Sequence, residues 1–296
     1  MTTTIAPTAH QVEPQPDPST HRPDHRRGSR ILLYAALIAG LVLMVGPFVW
    51  MILGSFKSTG ELRQLPPTFI PENPTLTNYD ELFERLDFPR YFFNSAVVAL
   101  AVTAGNLLFC SMLGYALAKL EFPGKRVLFA LMLATLMVPS IVTFMPLFVL
   151  VSNMHIANTH AGLILPFLVG AFGAFLMRQF ISGIPDELID AARIDGAGEY
   201  RIFFKIILPL CGPALATLAI LTFLGSWNAF LWPLVSASTE DMYTLPVAVA
   251  LFSIGQNQSE VGLQMAGAAV VVVPVVVLFF AMQRYIIQGI ATTGIK

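Results

Sequence analysis

The segment DELIDAARIDGAGEYRIFFKIILP, Asp186 to Pro209, carries eight charged side chains in 24 residues, in a chain that is only 12% charged. Asp186, Glu187, Asp190 and Asp195 alternate with Arg193, and Glu199, Arg201 and Lys205 follow. Carboxylates and guanidinium groups at this spacing suit ion pairing with another protein better than bond-breaking chemistry, because no nucleophile or metal ligand accompanies them. The chain has no GxxxxGK[ST] phosphate loop, no HExxH and no GxSxG, so it predicts neither ATP hydrolysis by this chain nor any other enzymatic activity. His155 and His160 share one short loop without a further ligand, and no metal site is expected. Cys110 and Cys211 lie in apolar segments without CxxC spacing and read as reduced packing residues.

A second set of polar side chains sits inside long apolar runs. Asn106 and Ser111 lie in one run, Ser140 and Thr143 flank MVPSIVTFMP in another, and Ser226, Trp227 and Asn228 belong to GSWNAFLWP in a third. Hydrogen bonding between membrane helices is one use for such residues. The other is the lining of a path for a neutral, hydroxyl-rich solute, with Trp227 or Trp232 stacking on a sugar ring and Asn228 bonding its hydroxyls. Trp232 suits an interfacial anchor equally well.

The elements that must hold these residues are set by composition. The chain is 55% hydrophobic with mean hydropathy +0.70, against about 25% charged residues in soluble domains. Too little charge remains to keep a surface wet, and the class is an all-α integral membrane protein. The net charge of −1 gives no nucleic-acid signal. Met1–Arg30, rich in Pro, Thr, His and charge, reads as a disordered tail and not as a signal peptide. Residues 31–296 then read as one transmembrane domain.

Six runs have roughly the 20 apolar residues a spanning helix needs: Ile31–Ser55, Ser95–Ala118, Val127–Val151, Ala161–Met177, Ile206–Val235 and Val261–Met282. The fourth is short and holds Gly162, Pro166, Gly170 and Gly173. Six spans place both termini on one side. Thirteen of the seventeen Lys and Arg residues fall on that side, in the tail, the second-to-third loop, the fourth-to-fifth loop and the C-terminus. The remaining four are Lys57, Arg63, Arg85 and Arg90. The positive-inside rule therefore puts both termini and Asp186–Pro209 in the cytoplasm. The external Lys57–Arg90 segment reads as a cap over helix ends. Within it TNYDELFERL forms a short helix capped by Thr77 or Asn78. No Asp, Glu, Lys, Arg or His falls within the six runs, which argues against proton coupling.

Asp186–Pro209 itself predicts a helix–turn–helix at about residues 181–209. Pro185, Asp186 and Glu187 suit a helix start. Ile184, Leu188, Ala191 and Ala192 form a narrow apolar stripe, and Gly196 stops the helix. A second helix from Gly198–Tyr200 carries Ile202, Phe203 and Ile206 on one face.

The residues Asp190-Ala191-Ala192, three more, Gly196, nine more, then Ile206, Leu208 and Pro209 match the loop pattern EAA–x3–G–x9–I–x–L–P. By this pattern the chain resembles the inner-membrane permeases of ABC importers, with Asp190 in place of the usual glutamate. GYALAKLEFPGK, MVPSIVTFMPLFVLV, LTFLGSWNAFLWPL and YTLPVAVA are similar to the carbohydrate importers, in particular to the six-span second permease of the maltose-type pair. The resemblance implies a second, non-identical permease as partner and an extracytoplasmic solute-binding protein. It also implies two cytoplasmic ATP-binding subunits, which hold ATP and Mg²⁺ while this chain binds no cofactor. Leu188, Asp190, Ala191, Ala192, Asp195, Gly196, Ile206, Leu208 and Pro209 would be the residues those ATPases grip. It further implies a path for sugars or oligosaccharides, the alternative cargo being glycerophosphodiesters or another small polar solute.

Overall fold

The computed structural model describes the backbone of residues 25–254 and 260–293, and side chains over 30–254 and 260–281. Most of the expected tail, like the side chains of the closing YIIQGIATTGIK, lies outside them. The chain divides into Met1–Val49 and Trp50–Lys296. Every element among the described residues is helical.

In chain order the α-helices are α1 His25–Ser55, α2 Thr59–Leu62, α3 Thr77–Arg85, α4 Phe88–Gly105, α5 Ser111–Lys119, α6 Lys125–Leu136, α7 Ser140–Asn153 and α8 His160–Ile164. They continue as α9 Ala171–Ser182, α10 Asp186–Ile194, α11 Glu199–Ile202, α12 Leu208–Leu210, α13 Gly212–Trp227, α14 Leu231–Ser236, α15 Leu245–Phe252 and α16 Val261–Thr293. A π-turn at Asn106–Cys110 joins α4 to α5, and another at Phe203–Ile207 joins α11 to α12.

Three stretches are long and apolar enough to cross a bilayer as continuous helices: Arg30–Ser55, Phe88–Lys119 and Val261–Ala281. The other three expected runs are broken. Lys125–Leu136 and Ser140–Asn153 meet at 104°, His160–Phe167 and Ala171–Ser182 at 42°, and Glu199–Leu210 and Gly212–Trp227 at 80°. Prolines explain the breaks. Pro139 forces Val138 out of helical geometry, Pro166 sits beside the second break, and Pro213 withholds an N–H in the first turn of α13. Ile206–Leu210 belongs to the arm that precedes the 80° bend. Pro209 also cannot donate to the carbonyl four residues back, and the chain widens into the π-turn at that point.

Residues 57–90 cover the C-terminal end of α1, with one difference in detail. Neither Thr77 nor Asn78 caps α3, whose N-cap is Leu76 without a side-chain bond. Asn78 instead turns back and donates to the Ser55 and Lys57 carbonyls, each at 2.8 Å. These are orphan groups at the C-terminal end of α1. Lys57 is buried against Trp50 and bonds Thr68.

The largest core cluster packs α5, α9, α10 and the α11–α13 arm around Met177, Ile181, Ile189, Ile202, Ile207 and Leu218. Gly114 makes this possible. A Cβ there would lie 2.8 Å from both the Arg178 nitrogen and the Met177 Cβ, so only glycine lets α5 and α9 approach this closely.

Candidate functional site

Helix α10 starts behind Pro185 and stops at Gly196, whose φ is +79°. The Gly196 N–H donates to the Arg193 carbonyl at 3.0 Å and the Ala197 N–H to the Ala192 carbonyl at 2.9 Å. This pair of bonds is the Schellman termination, and the positive φ is what calls for glycine there.

Both ends of α10 are tied to the membrane-spanning body. At its start, the Lys119 ammonium from the end of α5 donates to the Ile184 carbonyl at 2.5 Å and to Asp186 Oδ1 at 2.6 Å. That hydrogen bond holds the Asp186 carboxyl below the usual range. At its end, Arg193 Nε donates to Glu199 Oε1 at 2.9 Å, and the other Glu199 oxygen accepts from the Tyr115 hydroxyl of α5 at 2.5 Å. Lys119 and Tyr115 were not singled out from the sequence. Their signal was position, since both sit in the last turns of an apolar run beside the charged loop.

The stripe read from the sequence splits in two. Ile184, Ile189 and Ala192 are buried in the core. Leu188, Ala191, Ile194 and Asp195 face away from it, with Leu188 47% and Ile194 87% exposed. Tyr200, 75% exposed, follows on α11. Hence Ala191 and Ala192, adjacent in the motif, face opposite ways: Ala192 seats the helix and Ala191 is offered outward. Asp190 bonds Arg193 of its own helix at 3.2 Å and remains exposed. Gly198 begins α11 without a side-chain cap. Ile206 and Leu208 are half-buried beside the core, and Pro209 is exposed.

The second set of sequence candidates is scattered. Asn106 is buried, donates to the Val102 and Phe167 carbonyls at 3.1 and 2.7 Å, and accepts from Cys110 through its own oxygen. It braces the break between α8 and α9 rather than facing a path. Trp227 is 2% exposed, donates to the Val271 carbonyl at 3.1 Å and stacks on Phe223, so it offers no face to a sugar. Trp232 is likewise buried, donating to the Gly162 carbonyl between Phe144 and Phe167, and is no interfacial anchor. Ser140, Thr143 and Asn228 are exposed, and Thr143 and Asn228 bond carbonyls of their own helices. Of the set, Ser226 and Trp232 line a cavity of about 280 Å³, shared with Thr222, Gly225 and Phe167. His160 bonds Asn94 at 3.0 Å, a packing contact.

Residues 110–292 match the family of binding-protein-dependent transport system inner membrane components. The chain belongs to this family. It is accordingly a multi-pass inner-membrane permease and not an enzyme. It is 42% identical, over 86% of its length and 92% of the relative's, to the arabinooligosaccharides transport system permease protein AraQ of Halalkalibacterium halodurans. It is 34% identical, over 87% and 86%, to the diacetylchitobiose uptake system permease protein NgcG of Streptomyces coelicolor. It is 33% identical, over 90% and 98%, to the sn-glycerol-3-phosphate transport system permease protein UgpE of Yersinia enterocolitica. Its fold is similar to a chain of a bacterial ABC transporter involved in the import of the acidic polysaccharide alginate, with a TM-score of 0.81 at 21% identity, covering 90% of this chain and 99% of that one.

Proposed function

We propose that this chain is a transmembrane permease subunit of an ATP-driven importer of sugars or oligosaccharides. It pairs with a second, non-identical permease to form the path, receives cargo from an extracytoplasmic solute-binding protein, and is driven by two cytoplasmic ATPase subunits that hold ATP and Mg²⁺. In this reading six membrane crossings, three of them broken, leave both termini and α10 in the cytoplasm. The observation that carries it is the geometry of α10: a short helix clamped at both ends to the membrane body, with Leu188, Ala191 and Ile194 bare on its far side. A rigid peg of this kind transmits displacement, because pulling it also moves Lys119 and Tyr115 at the foot of α5.

The cycle is a population shift. ATP closes the ATPase pair, the gripped α10 helices move with it, and the body changes from an inward-open to an outward-open arrangement. ATP-bound ATPases must favour one arrangement for this to work, and a clamped helix supplies that difference. The six apolar runs hold no Asp, Glu, Lys, Arg or His, which argues against proton coupling. Sugar relatives at 42% and 34% identity support carbohydrate cargo, as do the uncharged residues around the Ser226 cavity. The glycerol-phosphate relative keeps phosphorylated polyols as the second reading.

The test is a reconstituted transporter carrying Gly196→Pro or Ala191→Trp. Assembly and basal ATP hydrolysis are expected to persist while stimulation by loaded binding protein disappears. Normal stimulation in either variant would remove α10 from the coupling role.

A further inference from the structure

The turn between α5 and α6 encloses a cavity of about 550 Å³ that the coupling role leaves unused. Arg178 of α9 enters it with its guanidinium 3.9 Å over the Phe129 ring, and its Nε is buried without any hydrogen-bond partner. A buried guanidinium N–H without an acceptor is costly. Lys125 and Arg126 line the same space. The single carboxylate of the lining, Glu121, is taken by Lys125 at 2.9 Å, so the charges of Arg126 and Arg178 are not balanced within the cavity. The 12-residue helix α6 starts here, and its N-cap Gly124 offers no side-chain acceptor. Its first-turn N–H groups and the positive end of its dipole add to the same field. The rest of the wall includes Phe129 and other apolar side chains.

Two unbalanced guanidinium groups and an uncapped helix start match the tetrahedral oxygens of a phosphate. The cavity lies at the end of the Phe88–Lys119 span, on the side where Lys119 meets α10. With the crossings proposed above, that is headgroup depth, and the apolar wall suits the glycerol and acyl portion that follows a headgroup. We propose that this cavity binds the phosphodiester headgroup of an anionic phospholipid through Arg178 and Arg126. Free phosphate shares the chemistry but has no use for the apolar wall. The site depends on the cavity's geometry and not on the cargo assigned to the transporter.

The assembled transporter, delipidated into neutral detergent, is titrated with dioctanoyl phosphatidylglycerol, dioctanoyl phosphatidylcholine and inorganic phosphate while its melting temperature is followed. The glycerol lipid is expected to stabilise saturably at concentrations about tenfold or more below the choline lipid. Arg126→Gln, on an exposed residue whose loss does not threaten folding, is expected to weaken the effect several-fold. Arg126→Gln with Arg178→Gln should abolish it, and Arg201→Gln should leave it intact. Equal stabilisation by both lipids, or an unchanged titration in Arg126→Gln, would overturn the site. Inorganic phosphate stabilising as well as the glycerol lipid, and displacing it, would overturn the lipid assignment.

Discussion

Asp186–Pro209 and the neutral polar residues of the spans were read with the same rules, and they behaved differently. In the first region the helix start and the glycine stop followed from residue type, while the apolar stripe divided between the core and the outward face of α10. In the second, Asn106, Trp227 and Trp232 turned inward to bond backbone carbonyls. The difference lies in the solvent. Beside water, charge marks the wet side of a helix. Between lipid and core both sides are apolar, so the pattern no longer tells them apart, and a polar group's strongest need is a bonding partner. A broken span supplies such partners, because its freed carbonyls must be met by some side chain.

The largest expected effect that separates the regions comes from the motif's two alanines. Ala192→Trp should prevent accumulation of folded protein, since Ala192 is buried against the α10 seat. Ala191→Trp should leave yield and melting temperature nearly unchanged and abolish uptake. Equal stability losses in the two would erase the inward–outward division of α10.

Next, Trp227→Ala is predicted to cost about 3–5 kcal/mol by emptying a core position, read as a lowered melting temperature, while any uptake that remains keeps its cargo preference. A changed cargo preference at unchanged stability would return Trp227 to the path. Asn106→Leu strands the Phe167 carbonyl and is predicted to cost about 1–3 kcal/mol, by the same measurement. Gly196→Ala places a Cβ at φ +79° and should cost about 1–2 kcal/mol, with the loss confined to the α10 segment in hydrogen exchange. The smallest change is expected for Ser140→Ala and Asn228→Ala, within about 0.5 kcal/mol of the parent protein. Any effect of these on uptake at full stability would mark a lining role that burial does not reveal.

Much of the architecture was legible beforehand. The helical class and the apolar runs follow from composition. The bends were only half legible. Pro139, Pro166 and Pro213 were visible, but whether a proline kinks a helix gently or turns it by 104° depends on neighbouring helices. The anchors of α10 were not legible as such. Lys119 and Glu199 are 80 residues apart, and their convergence on one helix requires the α5–α9 packing that Gly114 permits. The clamp also leaves Asp190 occupied with Arg193, so its shorter carboxylate is already in use inside α10.

The central claim is that the outward face of α10 is the surface gripped by the ATPases. Single cysteines test it directly, since Cys110 and Cys211 are both buried and leave a low background. In the assembled transporter, treatment with a short thiol-to-amine crosslinker should join Ala191→Cys and Ile194→Cys to the ATPase subunit, with the yield changing when ATP is added. Ala192→Cys and Asn228→Cys should not crosslink. Crosslinking from Asn228→Cys with none from Ala191→Cys or Ile194→Cys would contradict the assignment of α10.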